Sequence, residues 1–227
     1  MKTIKLIFLA VFLTTISFGS LAASKAHLDH ADTDIMDAAS LQNGAKLFMN
    51  YCSGCHAISF MRYNRIGKDL GLSNKLITEN LMFAGSKTGE TITTAMPEGA
   101  ASEWFGGVPP DLSLVSRSKG TDWIYTYLRS FYDDESRIFG VNNKVLVNAS
   151  MPDALWSLRE SQSEAEFDNS VRDITNFLDY VGEPAKLIRL QLGKWVLLFL
   201  SILFVLAYLL KKEYWKDVKY GIWRPRD

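Results

Sequence analysis

The chain has 227 residues, with 25 lysines and arginines, 25 aspartates and glutamates, and a formal net charge of zero. This length suits one modest globular domain with accessory segments. The balanced charge does not favour a nucleic acid as the partner, because nucleic-acid-binding domains concentrate positive charge.

The first 23 residues have the pattern of a secretory signal peptide. Lys2 and Lys5 precede an apolar run over 6–18, and small residues follow where a cleavage site is expected. The run is short for a membrane span, which needs about 20 residues. We therefore predict that residues 1–23 are removed and that residues 24–186 form an exported domain.

Apolar side chains at helical spacing predict a helix over 40–51, with Ser40 as its N-cap. Gly44 lies inside this helix, where glycine costs about 1 kcal/mol relative to alanine and often indicates the close approach of a second helix. The predicted partner is a helix over 163–181 that opens with a capping box. A shorter helix is predicted over 121–132.

The first predicted helix leads into Cys52-Ser-Gly-Cys-His56, which contains the only two cysteines of the chain. This spacing is typical of c-type haem attachment. Two thiols on one helical turn can add to the two vinyl groups of a porphyrin, and the next residue can offer its imidazole to the iron. We therefore predict one haem c, covalently bound through Cys52 and Cys55, with His56 as an axial ligand.

A structural disulfide, a dithiol redox site and half of a zinc site are the alternative interpretations of the cysteine pair. Zinc takes about four ligands, and the only other histidines are His27 and His30, in a polar segment. A thioredoxin-like motif follows a strand in a βαβ pattern, whereas a predicted helix precedes this motif. These features favour haem.

A haem that carries electrons commonly takes a methionine as its second axial ligand, because a thioether favours the reduced iron. Met96 and Met151 are the two candidates, since each precedes a proline that restricts the backbone and suits a rigid ligand loop. Spacing and composition leave the choice between them open.

The C-terminal part contains a predicted membrane anchor over 187–210. Residues 195–210 carry no charge, and with the preceding turn they reach the length of a bilayer-spanning helix. The tail over 211–227 contains six basic residues, so the positive-inside rule places it in the cytoplasm. The exported domain, 24–186, has fifteen basic and twenty-two acidic residues, which favours a positively charged redox partner.

Four sequence blocks and the anchor together resemble the cytochrome c1 family, the haem subunit of ubiquinol–cytochrome c reductase. The blocks are Cys52-Ser-Gly-Cys-His56, Arg62-Tyr63-Asn64, Pro109-Pro110-Asp111-Leu112-Ser113 and Asn148-Ala-Ser-Met151-Pro152. The resemblance spans most of the chain after residue 23. It implies a mainly α fold: a class I-like cytochrome c domain with inserted loops, plus one C-terminal transmembrane helix.

The resemblance also implies roles for individual residues. It makes His56 and Met151 the axial ligands and places Pro110 against the haem. It implies a basic partner for a haem propionate shortly after the Pro-Pro-Asp-Leu-Ser block, for which Arg117 is our candidate and Lys119 the rival.

The function that the resemblance implies is the transfer of single electrons from a Rieske iron–sulfur subunit to a cytochrome c, beside a cytochrome b subunit. The chain would lie in a bacterial inner membrane with its haem domain in the periplasm. Alternatives are a haem c subunit of a terminal oxidase, a membrane-tethered electron shuttle and, from another class, an exported thiol–disulfide enzyme. We identify no independent catalytic side chains, since a haem would carry the chemistry.

Overall fold

The computed structural model describes residues 27–221 of the chain. The predicted signal peptide, 1–23, and the last six residues of the predicted tail lie outside the described residues. Within 27–221 the chain is mainly helical, as the resemblance implies, with two small antiparallel sheets in which β1 pairs with β2 and β3 with β4. The helices are α1 (Ala38–Tyr51), α2 (Tyr63–Leu70), α3 (Asn74–Asn80), α4 (Glu98–Phe105), α5 (Val115–Lys119), α6 (Thr121–Arg129), α7 (Trp156–Ser161), α8 (Glu164–Gly182) and α9 (Lys186–Tyr220). The strands are β1 (Ile58–Arg62), β2 (Thr91–Ile92), β3 (Phe131–Asp133) and β4 (Val141–Asn143).

Helices α1 and α8 cross at close range in the core, as the glycine in α1 predicts. Gly44 lies against α8, where an added Cβ atom would overlap the backbone carbonyl of Asp173 and the side chain of Phe177. The rings of Phe48 and Phe177 lie 5.7 Å apart, and both side chains are fully buried. The absence of a side chain at Gly44 therefore sets the distance between the two helices.

The N-caps of these two helices differ in how well the local sequence predicts them. The capping box between Ser163 and Glu166 at the start of α8 is present as predicted. The prediction of Ser40 as the N-cap of α1 is wrong: Asp37 is the N-cap, and its carboxylate accepts hydrogen bonds from two backbone N–H groups of the first turn. The Ser40 hydroxyl instead donates to Asp173 of α8, at 2.7 Å.

The segment between residues 57 and 109 contains short regular elements, namely β1, β2, α2, α3 and α4. Its buried side chains, which include Ile58, Met61 and Tyr63, join the same core as α1 and α8. The helix predicted over 121–132 ends earlier, at Arg129, because Phe131–Asp133 pairs with Val141–Asn143 as a sheet.

Helix α9 is long and apolar enough to cross a membrane. Its 35 residues correspond to about 52 Å at 1.5 Å per residue, against roughly 30 Å for the hydrocarbon core of a bilayer. Its most apolar window of 18 residues has a mean hydropathy of 2.2, and none of that window is buried against the rest of residues 27–221. The side chains of this window are therefore free to face lipid or another subunit.

We expect Gly44→Ala to destabilise the protein, because the new methyl group must displace backbone of α8, and overpacking of this kind typically costs about 1–3 kcal/mol. Gly99→Ala is the matched control, since Gly99 also lies in a helix but has nothing within 4 Å of an added Cβ. That change should be neutral or stabilising by at most about 1 kcal/mol. The measurement is thermal unfolding of the haem-loaded, detergent-solubilised chain, where each kcal/mol shifts Tm by about 2–4 °C. Equal Tm values for the two variants would contradict the close crossing.

Candidate haem site

The haem-attachment motif forms a tight turn at the C-terminus of α1. The N–H of Cys52 donates to the carbonyl of Phe48, and the N–H groups of Cys55 and His56 both donate to the carbonyl of Cys52, at 3.1 and 2.9 Å. The turn therefore brings the two thiols and the imidazole together on one side of the chain. All three side chains line one cavity.

This cavity has a volume of about 570 Å³, within the roughly 300–1,000 Å³ that is usual for small-molecule and cofactor sites. Its lining residues are mainly apolar and come from the end of α1, from 105–119, from α6, from 146–154 and from α8. The cavity thus offers what a covalently bound porphyrin requires: two thiols, an imidazole and a thioether on walls that are otherwise mostly hydrocarbon. The residues present fit a haem c.

The side chain of His56 is oriented by the proline-rich block. Its Nδ1 atom lies 2.8 Å from the carbonyl oxygen of Pro110, and since a carbonyl only accepts, Nδ1 carries the proton. Burial lowers the pKa of His56, although the Pro110 carbonyl and the Asp111 carboxylate act in the opposite direction. The ring is therefore neutral at physiological pH, with the lone pair of Nε2 available to a metal.

The block around Pro110 is itself held against β1 by hydrogen bonds. The Asp111 carboxylate accepts from the N–H and hydroxyl groups of Ser59 and from the N–H of Ser113, and the Ser113 hydroxyl accepts from the N–H of Phe60. Burial raises the pKa of Asp111, but the hydrogen bonds from Ser113 and Ser59 outweigh burial and leave that pKa below its usual value. The ionised Asp111 therefore anchors the carbonyl that orients His56.

The structure separates the two Met-Pro sequences, which local sequence did not. Met151 lines the cavity, whereas Met96 does not. The hydroxyl of Tyr127 donates a hydrogen bond to the sulfur of Met151, at 3.5 Å, and burial raises the pKa of Tyr127 to about 12, so the donor stays protonated. Met96 lies two residues after Thr94, whose hydroxyl donates to the carbonyl of Gly54 in the haem-attachment turn.

The two basic candidates for a propionate also lie in different places. Arg117 does not line the cavity; its guanidinium forms an ion pair with Glu183, at 2.7 Å. Lys119 does line the cavity, and its Nζ atom lies 5.6 Å from the centre of the Trp123 ring. Pro110, the third residue that the resemblance implies, lines the cavity as well.

Sequence reasoning missed Tyr127 as a residue of this site. The ring of Tyr127 stacks on the ring of Trp123, with centroids 4.9 Å apart and planes 7° apart, and both residues line the cavity. The signal was present in the sequence, because residues four apart lie on the same face of a helix. This spacing predicts that Tyr127 lines the cavity only after the structure has shown that Trp123 does so.

The electrostatics of the two thiols do not favour the thiol–disulfide alternative. Burial, with the negative charge of a Cys55 thiolate second, raises the pKa of Cys52 to about 12, and burial also raises the pKa of Cys55. Reactive dithiols have lowered pKa values. The zinc alternative also lacks support, since no group of three or more His, Cys, Asp or Glu side chains is suitably placed for a metal within the described residues.

This combination of cavity, attachment turn and apolar C-terminal helix defines a class of protein, the membrane-anchored c-type cytochromes. The family model described as "Cytochrome C1 family" matches residues 30–218. Cytochrome c1 of Allochromatium vinosum is 48% identical over 92% of this chain and 98% of its own length. The chain therefore belongs to the cytochrome c1 family, whose members carry one covalently bound haem c in a membrane-anchored, electron-transferring subunit of the bc1 complex.

Two further relatives show the breadth of the similarity. A protein named ammonia monooxygenase gamma subunit, from Nitrosomonas europaea, is 41% identical over 96% of this chain and 100% of its own length. The mitochondrial cytochrome c1 heme protein of Neurospora crassa is 24% identical over 81% of this chain and 64% of its own length. The similarity thus covers both the haem domain and the helix that follows it.

Proposed function

We propose that this chain accepts single electrons from a Rieske iron–sulfur subunit and passes them to a cytochrome c within a quinol–cytochrome c reductase. The observation that carries the proposal is that Cys52, Cys55, His56 and Met151, from two separate segments, line one apolar cavity in a chain of the cytochrome c1 family. A haem c supplies an iron that alternates between the ferric and ferrous states and so carries one electron.

Each of these residues has a separate task in the proposal. Cys52 and Cys55 would bind the porphyrin covalently, and His56 and Met151 would ligate its iron. Pro110 orients the imidazole through its carbonyl and keeps the ligating nitrogen unprotonated. The mainly apolar lining would limit the access of water to a bound haem, and the resulting low-dielectric environment would help to set the potential of its iron.

Lys119, rather than Arg117, is our candidate for the propionate contact. Lys119 lines the cavity, whereas the guanidinium of Arg117 lies at Glu183. A lysine offers a single compact charge where an arginine offers a planar fork, so the contact would be a point ion pair.

The proposed partners follow from the surfaces of the two parts of the chain. Helix α9 exposes apolar side chains along its length, and a cytochrome b subunit in the same membrane would cover part of them. The haem domain carries the acidic run Asp133-Asp134-Glu135, and attraction between such charges and a basic cytochrome c acts over roughly 8–10 Å at physiological ionic strength. One relative bears the name of an ammonia monooxygenase subunit. The first experiment therefore tests which proteins assemble with this chain.

We expect the Cys52→Ala, Cys55→Ala double variant to lose the haem-stained band on a denaturing gel and to lose quinol–cytochrome c reductase activity in membranes. Affinity purification of the unmodified chain should recover a cytochrome b and a Rieske subunit. Recovery of a different oxidoreductase, or normal reductase activity in the double variant, would refute the proposed assembly. An oxidase subunit or a tethered shuttle would then be the better interpretation.

The ligand assignment predicts different results for two volume-conserving changes. Met151→Leu should abolish the sulfur-to-iron absorption band of the oxidised protein, lower the midpoint potential and open the iron to carbon monoxide, because the thioether is lost. Met96→Leu is the matched control and should leave all three unchanged, with a stability cost of less than about 1.5 kcal/mol. An exchange of these phenotypes between the two variants would show that Met96 is the ligand.

We further propose that the haem domain, 24–186, lies in the periplasm of a bacterial cell and that α9 crosses the inner membrane towards the cytoplasm. The basic residues after Leu210 support this orientation. A reporter that is active only in the periplasm should be active when fused before Leu187 and silent when fused after Asp227. The opposite pattern would contradict the proposed orientation.

A further inference from the structure

The segment that carries Met151 has little regular structure of its own. Between β4, which ends at Asn143, and α7, which begins at Trp156, the chain contains no helix or strand. We call residues 144–155 the ligand loop. Since the proposed function requires the Met151 sulfur to stay at one position, contacts outside the loop must hold its two ends.

The upstream end of the ligand loop is held by one fully buried amide. The Oδ1 atom of Asn143 accepts from the N–H groups of Val145 and Leu146, at 2.9 and 3.1 Å, and from the hydroxyl of Ser130, at 3.1 Å. Its Nδ2 atom donates to the carbonyl of Tyr127, at 2.8 Å. The opposite orientation of the amide would set its NH2 group against two N–H donors, so the network determines the assignment.

The downstream end is held by one guanidinium. Arg159, on α7, forms an ion pair with Asp153 of the ligand loop, at 3.0 Å. The same side chain donates to the carbonyls of Arg129 and Leu128, at 3.2 and 3.4 Å. Its planar fork allows one side chain to bind a carboxylate and two carbonyls together.

Asn143 and Arg159, which contact the two ends of the loop, therefore both bind the C-terminus of α6. The last carbonyls of a helix have no partner within it, and a positive charge there is favourable because of the helix dipole. In α6 those carbonyls, at Tyr127, Leu128 and Arg129, accept from Asn143 and Arg159. Tyr127 of the same helix also donates its hydroxyl to the sulfur of Met151.

We propose that Asn143 and Arg159 are positioning residues. Each binds one end of the ligand loop and the last carbonyls of α6, and together they would keep the Met151 sulfur within reach of the iron. Neither residue lines the cavity, so both act through the loop. The inference rests on the proposed role of Met151 as a ligand. If the contacts of Asn143 or of Arg159 are weakened, the loop should open while the haem stays covalently attached.

The test uses two substitutions in the full-length, haem-loaded chain. Asn143→Ser leaves a hydroxyl that can accept from the turn but is too short to reach the Tyr127 carbonyl. Arg159→Lys keeps the charge near Asp153 but loses the fork. Asn80→Ser is the matched control, because the Asn80 amide donates to a single backbone carbonyl, that of Leu76, on the exposed surface of α3.

In both test variants we expect normal haem staining but a weaker sulfur-to-iron band, a lower midpoint potential and easier carbon monoxide binding. The fraction of reduced protein open to carbon monoxide should rise roughly tenfold, since one buried hydrogen bond is worth about one power of ten in a local equilibrium. Asn80→Ser should behave like the unmodified chain. A purely structural role would instead lower the unfolding temperature and leave band, potential and carbon monoxide binding as they were, which would overturn the inference.

A variant that fails to accumulate is replaced by Ser130→Ala, which removes one donor from the Asn143 amide. In that variant the sulfur-to-iron band should disappear on heating several degrees before the haem domain unfolds, and by a wider margin than in the unmodified chain. Simultaneous loss would overturn the inference. If Met151→Leu retains the band, the proposed ligand is wrong; if Met151→Leu loses it and the loop variants do not, only this inference fails.

Discussion

The close crossing of α1 and α8 at Gly44 is the constraint on which the rest of the haem domain depends. Because no side chain separates the two backbones there, Phe48 can pack on Phe177. Cys52, at the C-terminus of α1, then lines the cavity, and Leu178, the residue after Phe177 on α8, lines the same cavity. A longer distance between the helices would move the attachment turn away from the wall that faces it.

Helix α6 has a comparable role on the other side of the cavity. One face of the helix supplies Trp123 and Tyr127 to the lining. Its C-terminal carbonyls bind Asn143 and Arg159, which contact the two ends of the ligand loop. Long irregular segments need support in a compact domain. Here the support comes from carbonyls at the C-terminus of α6, which accept hydrogen bonds from the side chains of Asn143 and Arg159.

Ion pairs join the haem domain to the membrane helix. Glu183, in the short connection between α8 and α9, pairs with Arg117 and with Arg189, at 2.7 and 3.0 Å, and Lys186 pairs with Asp179, at 2.9 Å. Partly exposed pairs of this kind each contribute only up to about 1 kcal/mol, but three together restrict how α9 leaves the domain. This arrangement gives Arg117 a structural task at the junction.

The resemblance to a known family implied the mainly α fold. The sequence alone determined the haem-attachment motif and the apolar C-terminal helix. These are local features: the motif depends on spacing within five residues, the helix on a continuous apolar run, and the capping box of α8 on residues three apart. Gly44 predicted a close helix crossing. A glycine within a helix lowers the stability of that helix, so its presence often indicates that a second helix packs closely there. Family resemblance added Met151, which composition and spacing had left equal to Met96.

Only the tertiary structure decided the features that depend on residues far apart in the chain. Met151 lines the cavity, where the hydroxyl of Tyr127, 24 positions upstream on α6, donates to its sulfur. Ser40 is no N-cap because its hydroxyl binds Asp173, 133 residues away. Lys119 lines the cavity, whereas the guanidinium of Arg117 binds Glu183, 66 residues further on. In each case the sequence offered two candidates, and contacts with residues distant in the chain, which local periodicity cannot reveal, distinguish them.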